Sequence, residues 1–304
     1  MTMTDPVAVR LPERAVLRLD GPDAAELLQG LVSNDVRLLT PERALYAALL
    51  TPQGKYLHDF VLYRQGDAIL LDTERERADE LRRRLLMYRL RAKVGIELPD
   101  PQPAVLAVLG EEAAGRLGLV EEPGAARADG EAVLAVDPRL AALGVRAVLP
   151  TGDVEGFLAA HRLPTAPAEA YDRHRLALGV PEGSVDLVPQ KGILLEANFE
   201  ELHGVSFDKG CFVGQELTAR TKHRALIRKR LLPVAVEGPL PEPGTIVTAG
   251  EKEVGEVRSG RDRRALALLR LEPALAAARD GTALRAGDAR LRPEVPPWVR
   301  LDQA

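Results

Sequence analysis

Apolar runs in this chain are short. The richest, such as Tyr46 to Leu50, have the length of a strand, and no uncharged stretch approaches the roughly 20 residues that cross a bilayer. Membrane insertion is therefore not expected, and the apolar residues have to be buried by packing many short elements together. A length of 304 residues allows two or three domains with cores of their own. A single cysteine, Cys211, cannot form an internal disulfide, so those cores stand without covalent staples and a reducing compartment is implied. Met1 to Leu11 shows neither a secretory signal nor a long basic amphipathic leader, and the expectation is a free cytoplasmic protein. The net charge of -4 gives no case for nucleic-acid binding, although Arg220 to Arg230 holds six Lys/Arg plus His223 and no acid.

Periodicity sketches the elements. Ala15 to Leu19 reads as a strand; Gly21-Pro22 then starts a helix to about Val32, with Ala24, Leu27, Leu28 and Leu31 along one face. Ala44 to Leu50, the turn Thr51-Pro-Gln-Gly54, Lys55 to Tyr63 and Ala68 to Leu71 read as three strands. A helix from about Thr73 to Arg91 follows. This order suggests an α+β unit whose sheet is covered by helices. After the break Pro99-Asp-Pro-Gln-Pro103, strands at Val105 to Leu109, Ala132 to Val136 and Val145 to Leu149 suggest a second α+β unit. Its helices are Glu111 to Leu117, Gly152 to His161 and Ala168 to Leu178. Beyond Arg230, four short strands at Leu231 to Val236, Gly244 to Ala249, Glu253 to Ser259 and Ala265 to Leu271 read as a small barrel or sandwich.

Chemistry concentrates in two segments. In Lys209-Gly-Cys-Phe-Val-Gly-Gln-Glu216, the spacing predicts a helix beginning near Phe212 or Val213. Cys211 would then stand at a helix N-terminus with Lys209 close by, two features that favour a thiolate. The residues alone leave a buried structural cysteine equally open. Gln215 and Glu216 point outward from the first turn or cap it, and Arg220 and Arg228 form a solvated face or an electropositive wall for an anion. No Cys/His spacing for a resident metal is present, so no stably bound metal is expected, with Cys211 at most a transient cluster ligand. In the second segment, Gln190 to Phe199, Glu196 follows an apolar, strand-like run. A carboxylate there either accepts two N–H donors from a flat heterocycle or bonds the local backbone.

The cysteine segment resembles the signature of the YgfZ/GcvT-like folate-binding family, whose distant relatives are the aminomethyltransferases of glycine cleavage. Leu19 to Val36, Leu50 to Phe60 and the continuation Glu216 to His223 with Ile227 to Arg230 extend the resemblance over nearly the whole chain. They look most similar to the mitochondrial-type iron–sulfur assembly branch and its bacterial counterparts. The resemblance implies a three-domain α+β ring around a central folate-sized cavity. Residues 6–98 would form the first lobe, 99–229 a second lobe carrying the cysteine motif, with segments exchanged between them, and 230–304 a C-terminal β-barrel. It implies tetrahydrofolate or a derivative as cofactor, and assistance in making or repairing [4Fe-4S] clusters in client enzymes. Client enzymes and A-type cluster carriers would be the partners of a monomer. Cys211 and Lys209 become the functional motif, and Glu196, Asp59, Gln215, Arg220 and Arg228 the candidate folate contacts.

One departure bears on activity. The transferase relatives carry an Asp-Asp pair after the hairpin turn, where this chain has His58-Asp59. Folate binding without glycine-cleavage chemistry is the expectation. A folate-dependent one-carbon transferase or demethylase and a non-enzymatic scaffold for carrier or client proteins are the alternatives.

Overall fold

The computed structural model describes residues 5–223 and 227–301. Two compact units emerge: one comprises Met1–Leu50, Leu57–Tyr171 and Leu202–Val213, the other Thr51–Tyr56, Asp172–Glu201 and Gly214–Ala304.

The first unit contains β1 (Val7–Arg10), β2 (Arg14–Asp20), α1 (Ala24–Gln29), β3 (Leu45–Leu50), β4 (Tyr56–Gln65), β5 (Ala68–Glu74), α2 (Ala78–Arg89) and β6 (Gly95–Glu97). These are followed by β7 (Ala104–Leu109), α3 (Ala113–Arg116), β8 (Ala126–Asp129), β9 (Ala132–Val136), β10 (Val145–Leu149), α4 (Val154–His161) and β11 (Thr165–Ala166). They build two sheets, in the orders β3-β4-β5-β2-β6 and β11-β1-β7-β10-β9-β8. Alternation decides the faces: Leu17 and Leu19 of β2 pair with Leu71 and Ile69 of β5 and join Phe60 and Leu62 in one core. Ala78, Leu81 and Leu85, at helical spacing on α2, close that core. Each fully buried leucine there contributes about 1.5–3 kcal/mol. Val154, Phe157 and Leu158 of α4 do the same over Leu134, Ala147 and Val108 of the second sheet.

The second unit holds most of α5 (Ala168–Leu178), then α6 (Gly183–Asp186), α7 (Gln215–His223), β12 (Lys229–Glu237), β13 (Ile246–Ala249), β14 (Lys252–Arg261), β15 (Arg264–Arg270), α8 (Leu271–Asp280), β16 (Leu284–Ala286) and β17 (Ala289–Pro293). The six strands close as a barrel, β12-β15-β14-β13-β16-β17, around Val234, Val257, Leu269 and Leu291. Arg175 of α5, paired with Asp186 at 2.8 Å, ties α5 to α6, and Asp186 in turn accepts from Ser259 of β14. Gly54 turns with a φ of 77°, and a Cβ there would stand 2.7 Å from the carbonyl oxygen of Gly214. The Thr51-Pro-Gln-Gly54 turn therefore seats directly on the approach to α7.

Several elements differ from the sequence expectation. The helix expected at Thr73 starts at Ala78, because Thr73 and Glu74 still pair with Ala15 and Arg14 across the sheet. The first helix stops at Gln29: Ser33 leaves it to donate its N–H to Ala48 O, extending the sheet's hydrogen bonding. Helix α7 begins at Gln215, since Val213 donates to Gly30 O and Gly214 adopts a φ of 84°. The run expected as a strand before Glu196 is a 3-10 turn, Leu194–Ala197. Helix α8 and strands β16 and β17 were not foreseen; the helix carries Pro273 in its first turn, where a proline is tolerated.

A charged cluster lies between the two sheets of the first unit. Arg146, 1% exposed, donates to Asp72 at 2.7 Å and Asp137 at 2.8 Å, while Tyr171 Oη accepts from both Arg146 and Arg139. Arg14 completes the set, donating to Asp72 at 2.7 Å. Burial alone would push the Asp137 carboxyl up, but Arg139 and Arg146 beside it hold it at about 2. Removing one partner of such a group strands the other charges in a dry interior, a loss of about 3–5 kcal/mol. Arg146→Met is expected to lower the stability of the first unit by that order in urea unfolding; a change within experimental error would show that the cluster is hydrated and dispensable.

Candidate functional site

The cysteine loop is clamped onto the segment that joins α1 to β3. Ser33 Oγ donates to Gly204 O at 2.6 Å, Asn34 Nδ2 to His203 O at 2.7 Å, and the N–H groups of Ser206 and Val213 reach Ser33 O and Gly30 O. Lys209 folds inward, its Nζ donating to Val32 O at 2.5 Å and Asn34 O at 2.8 Å with the Phe212 ring 5.0 Å away. Burial lowers the Lys209 amine to about 8, with Asp35 opposing the shift. Cys211, two residues on, is exposed. This excludes the buried structural cysteine, and it also corrects two supports for a thiolate. The Lys209 ammonium is engaged by backbone carbonyls, and Cys211 precedes α7, whose dipole acts only within its first turn.

Asp59 and His58 are neighbours on β4 and so project to opposite faces. Asp59, 4% exposed, accepts from Tyr46 Oη at 2.7 Å, and its carbonyl accepts from Thr73 Oγ1. His58 lies buried with Nε2 3.7 Å from Glu80 of α2, too long for a hydrogen bond, while Glu80 is held by Arg77 at 2.7 Å and Arg84 at 2.9 Å. Burial first, and the Arg77 charge second, bring the His58 imidazole down to about 3, so it is neutral at physiological pH. His58 and Asp59 thus present a neutral imidazole and a carboxylate on opposite faces of β4.

In the second unit Glu196 lines a cavity of about 180 Å³ together with Lys191, Gly192, Glu256 and Arg258. Its carboxylate makes no hydrogen bond or ion pair among the described residues, so the local-backbone alternative does not hold. Burial raises its pKa, opposed by the more distant charges of Lys229, Lys55 and Arg258. Gln215, Arg220 and Arg228 do not line this cavity. Gln215 opens α7, Arg220 pairs with Glu216 one turn away, and Arg228 is an exposed side chain just before β12. Lys191 and Gly192 lie within the segment read from sequence. Glu256 and Arg258, paired at 2.8 Å, were missed; they are alternate residues of a barrel strand and carry no local signal of a site. Lys222, in the acid-free run, pairs with Glu200 at 2.6 Å, and Arg224 lies outside the described residues. Among the described residues no group of three or more His, Cys, Asp or Glu is placed to hold a metal ion, and no helix is long and apolar enough to cross a membrane.

Two sheet-bearing α+β lobes followed by a closed six-stranded barrel define the fold of the glycine-cleavage T proteins. The crystal structure of glycine cleavage system aminomethyltransferase T from Bartonella henselae superposes with a TM-score of 0.78 at 18% identity, covering 98% of this chain and 87% of that one. The GCVT N-terminal domain model matches residues 14–126, and the CAF17 C-terminal beta-barrel domain model residues 228–301. The human mitochondrial iron-sulfur cluster assembly factor IBA57 is 41% identical over 280 residues, 86% of this chain and 76% of that protein. Its Mus musculus counterpart is 40% identical over 86% of this chain and 77% of its own length. The chain belongs to the IBA57 family of iron–sulfur cluster assembly factors.

These relatives overturn one expectation. They are named as mitochondrial proteins, against the free cytoplasmic setting inferred from the first residues. A compartment is specified by a targeting segment outside the fold, so the folded domains carry no imprint of it.

The His58 site gives a pH signature. With a folded value near 3 and an ordinary value of 6.5, the unfolded chain binds the proton first as pH falls. Stability is therefore expected to fall below about pH 6.5 and to keep falling toward pH 3. His58→Gln should flatten this slope in urea unfolding between those limits; an unaltered slope would mean that His58 is not buried neutral.

Proposed function

We propose that this chain binds tetrahydrofolate or a derivative of it and assists the assembly or repair of [4Fe-4S] clusters in client enzymes, with Cys211 as the functional thiol. The observation that carries the folate reading is Glu196, a half-buried carboxylate on a cavity wall with no hydrogen bond among the described residues. Such a group is costly unless a ligand satisfies it, and the adjacent N–H donors of a pterin do so. The residues fit the cofactor: Glu196 would take the pterin, and Arg228, exposed and without an ion pair among the described residues, would meet a folate carboxylate. Tetrahydrofolate, when bound, supplies a carrier for one-carbon units. Gln215 and Arg220 stay within the proposal as secondary contacts.

The cluster role is supported by the relatives named as assembly factors and by the presentation of Cys211. An exposed sulfur on a loop held by at least six hydrogen bonds to one neighbouring segment would meet another protein's cluster at little entropic cost, which supports the reading. The cluster is cargo, with client enzymes and A-type carriers as partners. Glycine-cleavage transfer is disfavoured because neutral His58 stands in place of a carboxylate.

Two measurements test the reading. Calorimetric titration with tetrahydrofolate is expected to show about tenfold or greater weakening in Glu196→Ala, as for loss of a charged hydrogen-bond partner. Affinity should also fall as pH drops through the raised pKa of Glu196, because the acceptor is the carboxylate. Equal affinity in both proteins would remove Glu196 from the site. Cys211→Ala, with an unchanged melting temperature, should reduce the cluster content of a dehydratase or radical-type [4Fe-4S] client; full client maturation at all oxygen levels would defeat the role of the thiol.

A further inference from the structure

The end of α2 is an anomaly in the first unit. Leu90 is 87% exposed and Met87 73%, with Tyr88 beside them at 39%. Scattered surface apolar residues need no explanation, but three large ones within four positions form a patch. Leu90 is also held at φ 44°, ψ -106° as the C-cap residue of the helix. That conformation suits glycine and costs a leucine about 1–3 kcal/mol. Strain and solvent exposure at one apolar side chain are both unfavourable in the isolated protein.

Charge marks the same place. From Leu81 to Val94 the sequence carries six Lys/Arg and no acid, in a chain of net charge -4. Arg82, Arg83 and Arg84 are tied back to Asp79 and Glu80 in the first turn of α2. Arg89, Arg91 and Lys93, all exposed, pair with no acid among the described residues. We propose that Met87 to Lys93 is a docking surface for a protein partner whose face is acidic around an apolar recess, with Leu90 and Met87 inserted and the three cations on the rim. A buried apolar anchor inside a charged rim is the usual distribution of binding energy in a specific interface. A second copy of this chain is disfavoured, since it would bring two unpaired basic clusters together. A bilayer is disfavoured because Asp23, which accepts from Lys93 N–H at 2.7 Å, and exposed Glu97 would be pressed against lipid phosphates.

The inference rests on the assembly reading for its probe, a purified A-type cluster carrier titrated against the full chain. Wild-type protein is expected to bind with an affinity that falls as salt rises. Met87→Glu/Leu90→Glu should weaken binding roughly tenfold to a hundredfold, the range for loss of interface anchors. Arg89→Glu/Arg91→Glu should also weaken it and reduce the salt dependence. Both variants should keep the wild-type melting temperature and tetrahydrofolate affinity, so a folding defect is separable. Carrier binding by wild type that neither variant alters would overturn this surface while leaving the assembly reading in place. Failure of wild type to bind the carrier, with tetrahydrofolate binding retained, would overturn the carrier partnership and this inference with it. Co-sedimentation of wild type, but not of the variants, with phosphatidylglycerol vesicles would overturn the protein partner in favour of a lipid surface.

Discussion

Arg146 is the group around which the first unit is arranged. Its guanidinium, carried by β10 of one sheet, is buried and donates to Asp72 on the other sheet, to Asp137 just beyond β9, and to Tyr171. Two sheets meeting through hydrocarbon alone tolerate many relative settings of similar energy, whereas a planar fork of donors meets its carboxylates in few. The net stability of such a cluster over an apolar one is small, so its effect lies in which packing it permits. Its influence reaches the candidate residues directly. Asp72 adjoins Thr73, whose hydroxyl donates to the carbonyl of Asp59, and Asp59 in turn receives the Tyr46 hydroxyl.

The cysteine loop illustrates a different use of burial. A lysine carried inward loses hydration, and here two carbonyls and an aromatic face replace it only in part, as the lowered amine pKa records. The buried end of Lys209 fixes the loop's base, while Gly210 at φ 91°, with nothing within reach of a Cβ, lets the chain reverse and carry Cys211 outward. Opposite directions two residues apart exclude a strand, in which such side chains share a face, and Gly214 at φ 84° keeps α7 from starting before Gln215.

Element types along the first unit were readable because their periodicities are undisturbed: Ala104 to Leu109 and Val145 to Leu149 are buried throughout, and α2 shows its stripe. What could not be read was set by partners distant in sequence. Thr73 and Glu74 are as compatible with a helix start as with a strand end, and the pairing with Arg14 and Ala15 decides between them. The cluster of Arg14, Asp72, Asp137, Arg139 and Arg146 leaves no local trace, since each charge taken alone is ordinary for a surface. At the candidate site, Lys209, Cys211 and Glu196 stood out through their immediate neighbours. Arg258 and Glu256 did not, because a barrel strand alternates inward and outward without saying what its outer face meets.

Comparison among the acids sharpens the case for Glu196. Asp72 and Asp137 are held by arginines, Asp186 by Arg175 and Ser259, Asp59 by Tyr46, and Glu201 by Arg230 at 2.7 Å. Each has a neighbour within hydrogen-bond reach, although burial still raises the pKa of Asp186. Glu196 is partly desolvated and receives only the longer-range attraction of Lys229, Lys55 and Arg258, so its pKa rises. A carboxylate without a partner among the described residues, on the wall of a cavity rather than in a packed core, is what the folate proposal requires of Glu196.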